Sequence, residues 1–374
     1  MRERPDAAST FFLCGDVMTG RGIDQILPHS CEPRIFEPYM RSAKGYVDLA
    51  EAVHGPIPKP VDFAYIWGAA LAELEHAAPH ARIINLETAV TTAEDAWPGK
   101  GINYRMHPAN IPCLTAAGID CCTLANNHVL DWGYAGLRET LGTLDEAGIQ
   151  TSGAGKDGME ATAPATIDLA NGARLLVFAF GLESAGVPPQ WGAREDRAGV
   201  SYLADLSPGT ADAIAKRMLA SKRSGDVVIA SMHWGRNWGY EIPREHQAFA
   251  RRLIDAGAVD LVHGHSSHHP LAIEVYRDRV IFYGCGDFLN DYEGIRGHES
   301  FRPELTLMYL PSLAPASGKL TNCELVPMEI RRFRLNRVVR EDTLWLQHLL
   351  TREGARFNTR AELAADGALQ LQWD

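Results

Sequence analysis

Along the chain, short apolar runs at residues 11–15, 82–86, 120–125, 174–180, 226–231 and 259–262 alternate with stretches where apolar residues recur every three or four positions. Runs of four to eight residues have strand length, whereas the wider spacing buries one face of a helix. The helical stretches are 64–78, 134–147, 210–221 and 244–256. A pair of runs at 271–276 and 279–283, joined by Arg277-Asp278, predicts a hairpin, and strands near 304–310 and 325–333 turn the second half antiparallel. Helical spacing returns at 341–350. Strand and helix alternate, which predicts an α/β fold with a central, partly parallel sheet. No internal repeat or low-complexity linker divides the chain, so one layered domain over residues 1–374 is expected, with residues 28–60, rich in proline and charge, as an insertion beside the first strand.

Composition narrows the class. With 374 residues and 46% hydrophobic content the chain has ample material for a large core. The formal net charge of −11 and the absence of a cation run exclude a duplex-binding surface, so an anionic polymer would have to meet a local basic pocket. Seven cysteines with no CxxC do not form a disulfide framework, and Cys14, Cys121, Cys122 and Cys285 read as small core residues. The first ten residues lack an apolar h-region and no stretch reaches membrane-spanning length, so a cytoplasmic protein is expected, or a secreted or periplasmic one if a leader has been removed. Oligomeric state is not legible.

Chemistry collects at the ends of the apolar runs. Residues 124–133, Leu-Ala-Asn-Asn-His-Val-Leu-Asp-Trp-Gly, put an amide, an imidazole and a carboxylate between a strand and a helix. Two readings fit: Asn127 as a metal ligand with His128 handling a proton and Asp131 orienting it, or Asp131 as the cap of the following helix with Asn126 and Asn127 closing a turn. Four other strand ends carry similar residues. Asp16 leaves the first strand between Gly15 and Gly20 and suits either a metal or a helix cap; Glu87 follows the apolar 83–86 as a bridging carboxylate or a solvated turn residue. His233 ends another run, a satisfied core histidine if alone. His263, His265, His268 and His269 crowd seven residues, and packing alone does not satisfy so many ring nitrogens. Together these residues form a ligand pool for one or two divalent ions, and mixed oxygen and imidazole donors suit Mn, Fe or Zn better than Mg.

The ordered set GDVMTGR, INLET, LANNHVLDWG, MHWG, GHSSHHP and FYGCGDF, from Phe11 to Asp291, resembles the poly-γ-glutamate capsule protein (CapA-like) family, whose fold is that of the calcineurin-like metallophosphoesterases. The resemblance implies a four-layer αββα sandwich with mixed sheets, core motifs over 11–291 and C-terminal strands and a helix over 300–374. It implies that Asp16 binds a first metal, Glu87 bridges, Asn127 and His233 bind the second, His265 and His268 supply further imidazoles, and His128 protonates or stabilises. Asn103-Tyr104-Arg105-Met106-His107-Pro108 is similar to a further family segment, which makes Arg105, with Arg21, a candidate for holding an anionic group. Trp234 is a candidate wall of the substrate groove, and Asp287 replaces the family's asparagine as a ligand or its partner. Met18 stands where metallophosphoesterases carry histidine, and Ser266 and Ser267 interrupt the family's histidine loop, leaving open which histidines bind metal. The leading functional expectation is a metal-dependent hydrolase acting on poly-γ-glutamate or a γ-glutamyl compound. A phosphoesterase and a non-catalytic accessory protein of polymer synthesis or export are the alternatives.

Overall fold

The computed structural model describes residues 8–170, 172–315 and 317–374. It is a mixed α/β chain built on two large mixed sheets, with eight α-helices among the described residues. The first sheet has ten strands. Its parallel half runs Ser9–Val17, Ala81–Leu86, Cys121–Thr123, Gln150–Ser152, and its antiparallel half continues from Ser9–Val17 through Leu305–Leu313, Leu320–Ile330, Leu369–Trp373 and Thr359–Leu363. The second sheet has seven strands, with Arg174–Leu182, Val227–His233, Leu261–His265 and Arg279–Phe282 parallel at its centre. Ile273–Tyr276 and Ala165–Asp168 add antiparallel edges.

Side chains alternate across each strand with a period of two, and this sorts the apolar residues into three clusters. Phe11, Leu13 and Ile83 of the first sheet meet Val177, Ile229 and Leu261 of the second in one of them. The opposite faces serve helices. Phe12, Cys14 and Ile84 pack with Leu137, Leu141 and Leu144 of Gly133–Glu146 and with Leu74 of Ala70–Ala77. Phe178, Val228 and Val262 pack with Ile214 and Met218 of Pro208–Ser221 and with Phe249 and Leu253 of Arg244–Asp255. Each such Leu or Phe contributes about 1.5–3 kcal/mol relative to exposure.

The first strand breaks its own alternation near its carboxyl end. Phe12 and Cys14 face the helices, so a regular strand would send Asp16 the same way and Val17 between the sheets. The pairing with Ala81–Leu86 shifts register between Leu13 and Asp16, and Val17 packs with Phe12 and Cys14 instead. An irregularity of this kind re-aims a side chain. Here it turns Asp16 toward the second sheet. Gly15 permits the shift, because a Cβ there would lie 1.7 Å from the carbonyl oxygen of Gly286.

Several boundaries differ from the pattern-based expectation. The helix expected over 64–78 is a 3-10 turn, Tyr65–Trp67, followed by Ala70–Ala77. Gly68 separates them with φ +45, and a Cβ there would lie 2.2 Å from the carbonyl oxygen of Leu335, whose strand passes close. Residues 28–60 hold a helix, Lys44–His54, and the C-terminal helix extends over Arg340–Gly354 before a strand pair absent from the expectation. All seven cysteines are free and buried. No helix among the described residues is long and apolar enough to cross a membrane.

Candidate metal centre

The carboxyl ends of the parallel strands converge. Register alone brings several groups side by side: Asp16 is level with Asn85 and with Asp287, Ser231 with His263, and His233 with His265. Two Asp/His groups result, one of Asp16, His233 and His265 and the other of Asp16, His268 and Asp287, each offering one ligand atom per residue within 4.8 Å of one another. Asp16 belongs to both. Glu87 stands beside them, its Oε1 3.9 Å from His233 Nε2 and 3.8 Å from His128 Nε2. Asn127 Oδ1 lies 3.2 Å from His233 Nε2.

Amides hold these acceptors in place. Asn85 Nδ2 donates to Asp16 Oδ1 at 2.7 Å and to Glu87 Oε2 at 3.2 Å. Asn126 Nδ2 donates in turn to Asn85 Oδ1, while its own Oδ1 accepts from the backbone of His128 and Val129. The turn-closing reading thus holds for Asn126. It fails as a solvated turn for Glu87, which is buried. Neither Asp16 nor Asp131 caps a helix: Gly133–Glu146 begins at Trp132 with no side-chain cap.

Burying so many like groups has an electrostatic consequence. Burial first, then the charge of Asp287, pushes the Asp16 carboxyl up to about 7, and burial with the charge of Asp16 raises Glu87 well above the usual carboxylate range. Burial, with the charge of neighbouring histidines, drives His233 and His265 well below the ordinary histidine value. Burial also acts to lower His268, but Asp287 Oδ1, 2.8 Å from its Nδ1, outweighs it and raises the ring. The carboxylates thus disfavour one another's charge, and His233 and His265 disfavour protonation, with their Nδ1 atoms 2.8 Å apart. That donor set fits a divalent cation, whose charge would offset the repulsion among the carboxylates and whose empty orbitals suit the lone pairs of neutral imidazoles.

Beside the groups lies a proton-handling cluster. His128 Nδ1 is 2.6 Å from Asp131 Oδ2, and Asp131 also accepts from the backbone N–H of Tyr104 at 2.6 Å. Lys100 joins them: its ammonium contacts Asp131 Oδ1 and the carbonyl oxygen of Asn127, and lies 3.1 Å from His128 Nδ1. Burial drives His128 down to about 4, against the pull of Asp131 and with the help of Lys100. The ring is neutral at physiological pH. Tyr104 packs edge-on against His128, and its hydroxyl donates to that of Tyr292, which packs edge-on against His268.

Sequence reasoning brought Asp16, Glu87, Asn127, His128, Asp131, His233, His265, His268 and Asp287 to one place. It read three others as substrate contacts: the structure commits Arg21 and Arg105 to partners within the fold, while Trp234 packs in the core and also lines a cavity with Trp238 and Tyr240. Arg21 is buried, ion-paired with Asp291 at 2.5 Å and Glu37 at 2.7 Å, and stacked over Tyr46 and Tyr104. Arg105 donates to the backbone carbonyls of Ala93 and Glu32 and lies over Trp132. Trp234 is a core residue stacked on His246, its Nε1 donating to the carbonyl of Tyr283. Lys100 and Asn85 were missed. Asn85 had a signal in standing two residues before Glu87; Lys100, between two glycines of a loop, had none.

The chain matches the family described as Bacterial capsule synthesis protein PGA_cap over residues 10–292. It belongs to that family. A Mycobacterium tuberculosis protein named "Probable polyglutamine synthesis accessory protein" is 50% identical to this PGA_cap chain over 372 residues, covering 99% of it and 97% of the relative. "Capsule biosynthesis protein CapA" of Bacillus anthracis is 25% identical over 300 residues, covering 80% of this chain and 64% of that one. "PGA biosynthesis protein CapA" of Bacillus subtilis is 25% identical over 296 residues, covering 79% and 66%. The motif-based resemblance thus identified the family that the whole-chain comparison gives.

Proposed function

We propose that this PGA_cap chain is a metal-dependent hydrolase of poly-γ-glutamate or a related γ-glutamyl amide. The observation that carries the reading is the pair of buried Asp/His groups sharing Asp16, flanked by a neutral His128 whose Nε2 faces the same carboxylate, Glu87, as His233. One or two Mn, Zn or Fe ions would be held by Asp16, His233 and His265 with Asn127 and Glu87 alongside, and by Asp16, His268 and Asp287. A cation held there polarises the amide carbonyl and makes water nucleophilic near neutral pH. The remaining chemistry belongs to the chain. Asp131 accepts the proton of His128 Nδ1, which leaves Nε2 free to take a proton from attacking water and return it to the departing amine. Lys100 and Asn103 fix Asp131 from two sides.

The three apolar clusters support stacking of the layers as helix, sheet, sheet and helix in one domain, with the centre at one end of the space between the sheets. Since Arg21 and Arg105 are committed internally, the anionic substrate needs other cations. Arg236 is exposed, follows His233 by three residues and lines a cavity of about 460 Å³ with Trp238 and Tyr240. It is the candidate for a substrate carboxylate.

Protein loaded with Mn or Zn should shorten poly-γ-glutamate and release amine from γ-glutamyl dipeptides, with His128→Ala at least about 100-fold slower. Full-length polymer and intact dipeptide at every metal would overturn the reading, and preferential cleavage of aryl phosphates would move it to phosphoesters. A second reading, binding of the growing polymer without cleavage, is favoured by the accessory role in the name of the M. tuberculosis relative. A stable complex with polymer and no turnover would establish it.

A further inference from the structure

Of the four histidines at the end of Leu261–His265 and in its loop, His263 and His269 belong to neither Asp/His group yet are entirely buried, and His263 is the one that reaches His265 through a shared hydroxyl. Nε2 of His263 lies 2.7 Å from the carbonyl oxygen of Cys14, and its Nδ1 lies 3.2 Å from Ser231 Oγ. Ser231 Oγ is also 2.8 Å from Nε2 of His265. The other nitrogen of His265, Nδ1, faces the centre, 2.8 Å from His233 Nδ1 and 3.7 Å from Asp16 Oδ1.

The protons along this row can be placed one by one. A carbonyl oxygen only accepts, so Cys14 fixes a proton on Nε2 of His263. The ring is neutral, being buried with no carboxylate in contact, and its Nδ1 therefore carries a lone pair. The hydroxyl proton of Ser231 is the donor within reach. Thr123 Oγ1, 3.3 Å from Ser231 Oγ, competes for that proton, but giving it there would leave a buried Nδ1 without a partner, whereas Thr123 can donate to the carbonyl oxygen of Ile84. With its proton committed, the serine oxygen accepts from His265, which must then be protonated at Nε2. Its Nδ1 is left as a lone pair facing the centre, and in the metal-free chain the proton of the 2.8 Å contact with His233 then sits on His233 Nδ1.

We propose that His263 and Ser231 form a positioning relay that fixes the tautomer of His265, so that His265 presents Nδ1 and not Nε2 to a divalent cation. The cation rests on the hydrolase reading above; the tautomer is a property of the chain alone. Outer partners of this kind orient a ligating imidazole and raise its basicity.

The test is long-range 1H–15N correlation spectroscopy of the full chain labelled at histidine nitrogen, at neutral pH, first without metal and then with Zn2+, with the His265 signals assigned through His265→Gln. The expected result is an Nε2–H tautomer for His265 before metal and a shift of its Nδ1 signal, with Nε2 still protonated, after Zn2+. Ser231→Ala should weaken Zn2+ binding about 10–100-fold, while Ser231→Thr, which keeps the hydroxyl, should stay within a few-fold of the native chain. An Nδ1–H tautomer in the metal-free protein, a Zn2+-induced shift at Nε2, or native affinity in Ser231→Ala would overturn the relay. Failure of Zn2+ to bind anywhere would count against the hydrolase reading, and the metal-free tautomer would still decide this one.

Discussion

Lys100 reaches the centre from a loop, 31 residues before the carboxylate it neutralises. Its ammonium joins the carbonyl of Asn127 to the carboxylate of Asp131, so one side chain clamps both ends of the turn that carries His128. Replacing it by Met removes that clamp and leaves Asp131 short of a counter-charge. Turnover of a γ-glutamyl substrate is expected to fall about 100-fold with metal content unchanged, measured by amine release alongside elemental analysis; native turnover in Lys100→Met would remove it from the account. Asn127, His128 and Asp131 were legible in the sequence because they are neighbours on one turn. Lys100 was not, since neither periodicity nor spacing marks a lysine on an irregular loop. Arg21 and Arg105 were misread for the converse reason. A cation near a motif suggests an anionic ligand, but a buried one needs partners within the fold, and Glu37, Asp291 and backbone carbonyls supply them.

At the scale of elements, the parallel strands were plain from their apolar runs, and the structure brings the polar groups at their ends together. Alternation could not show that the first strand slips at Gly15, because the slip depends on the backbone of Gly286, far away in sequence. Gly15→Ala is expected to destabilise the protein by at least about 3 kcal/mol, the upper range for forcing extra bulk into a packed interior, since the clash is with backbone. Urea unfolding measures it, and a loss under 1 kcal/mol would contradict the close approach. The interruption at Gly68 was hidden for a related reason: the helical spacing of 64–78 is continuous, and the passing strand at Leu335 is what divides it.

For the whole molecule, the α/β class was legible from alternation, while the pairing of ten strands across sequence-distant halves was not, because antiparallel partners such as Ser9–Val17 and Leu305–Leu313 leave no local signature. Stability should carry the mark of buried neutral histidines. His246, stacked on Trp234, is driven by burial from about 6.5 down to about 4. Above pH 6.5 it is neutral folded or unfolded and contributes no pH dependence. As pH falls through 6.5 toward 4 only the unfolded chain takes up its proton, so stability is lost by up to roughly 3 kcal/mol at about 1.4 kcal/mol per pH unit. His246→Phe keeps the stack and removes the titration. Its unfolding free energy should fall less than that of the native chain between pH 7 and pH 4.5, and parallel losses would contradict the assignment.

The central claim is that one buried aspartate, Asp16, anchors two metal positions, one completed by His233 and His265 and the other by His268 and Asp287. Anomalous diffraction at the manganese edge, from crystals grown with Mn2+, tests it most directly. The account predicts peaks on both sides of the Asp16 carboxylate, each within ligand distance of its two partners, and their loss in Asp16→Asn. No peak within reach of Asp16 in the native crystal would contradict it.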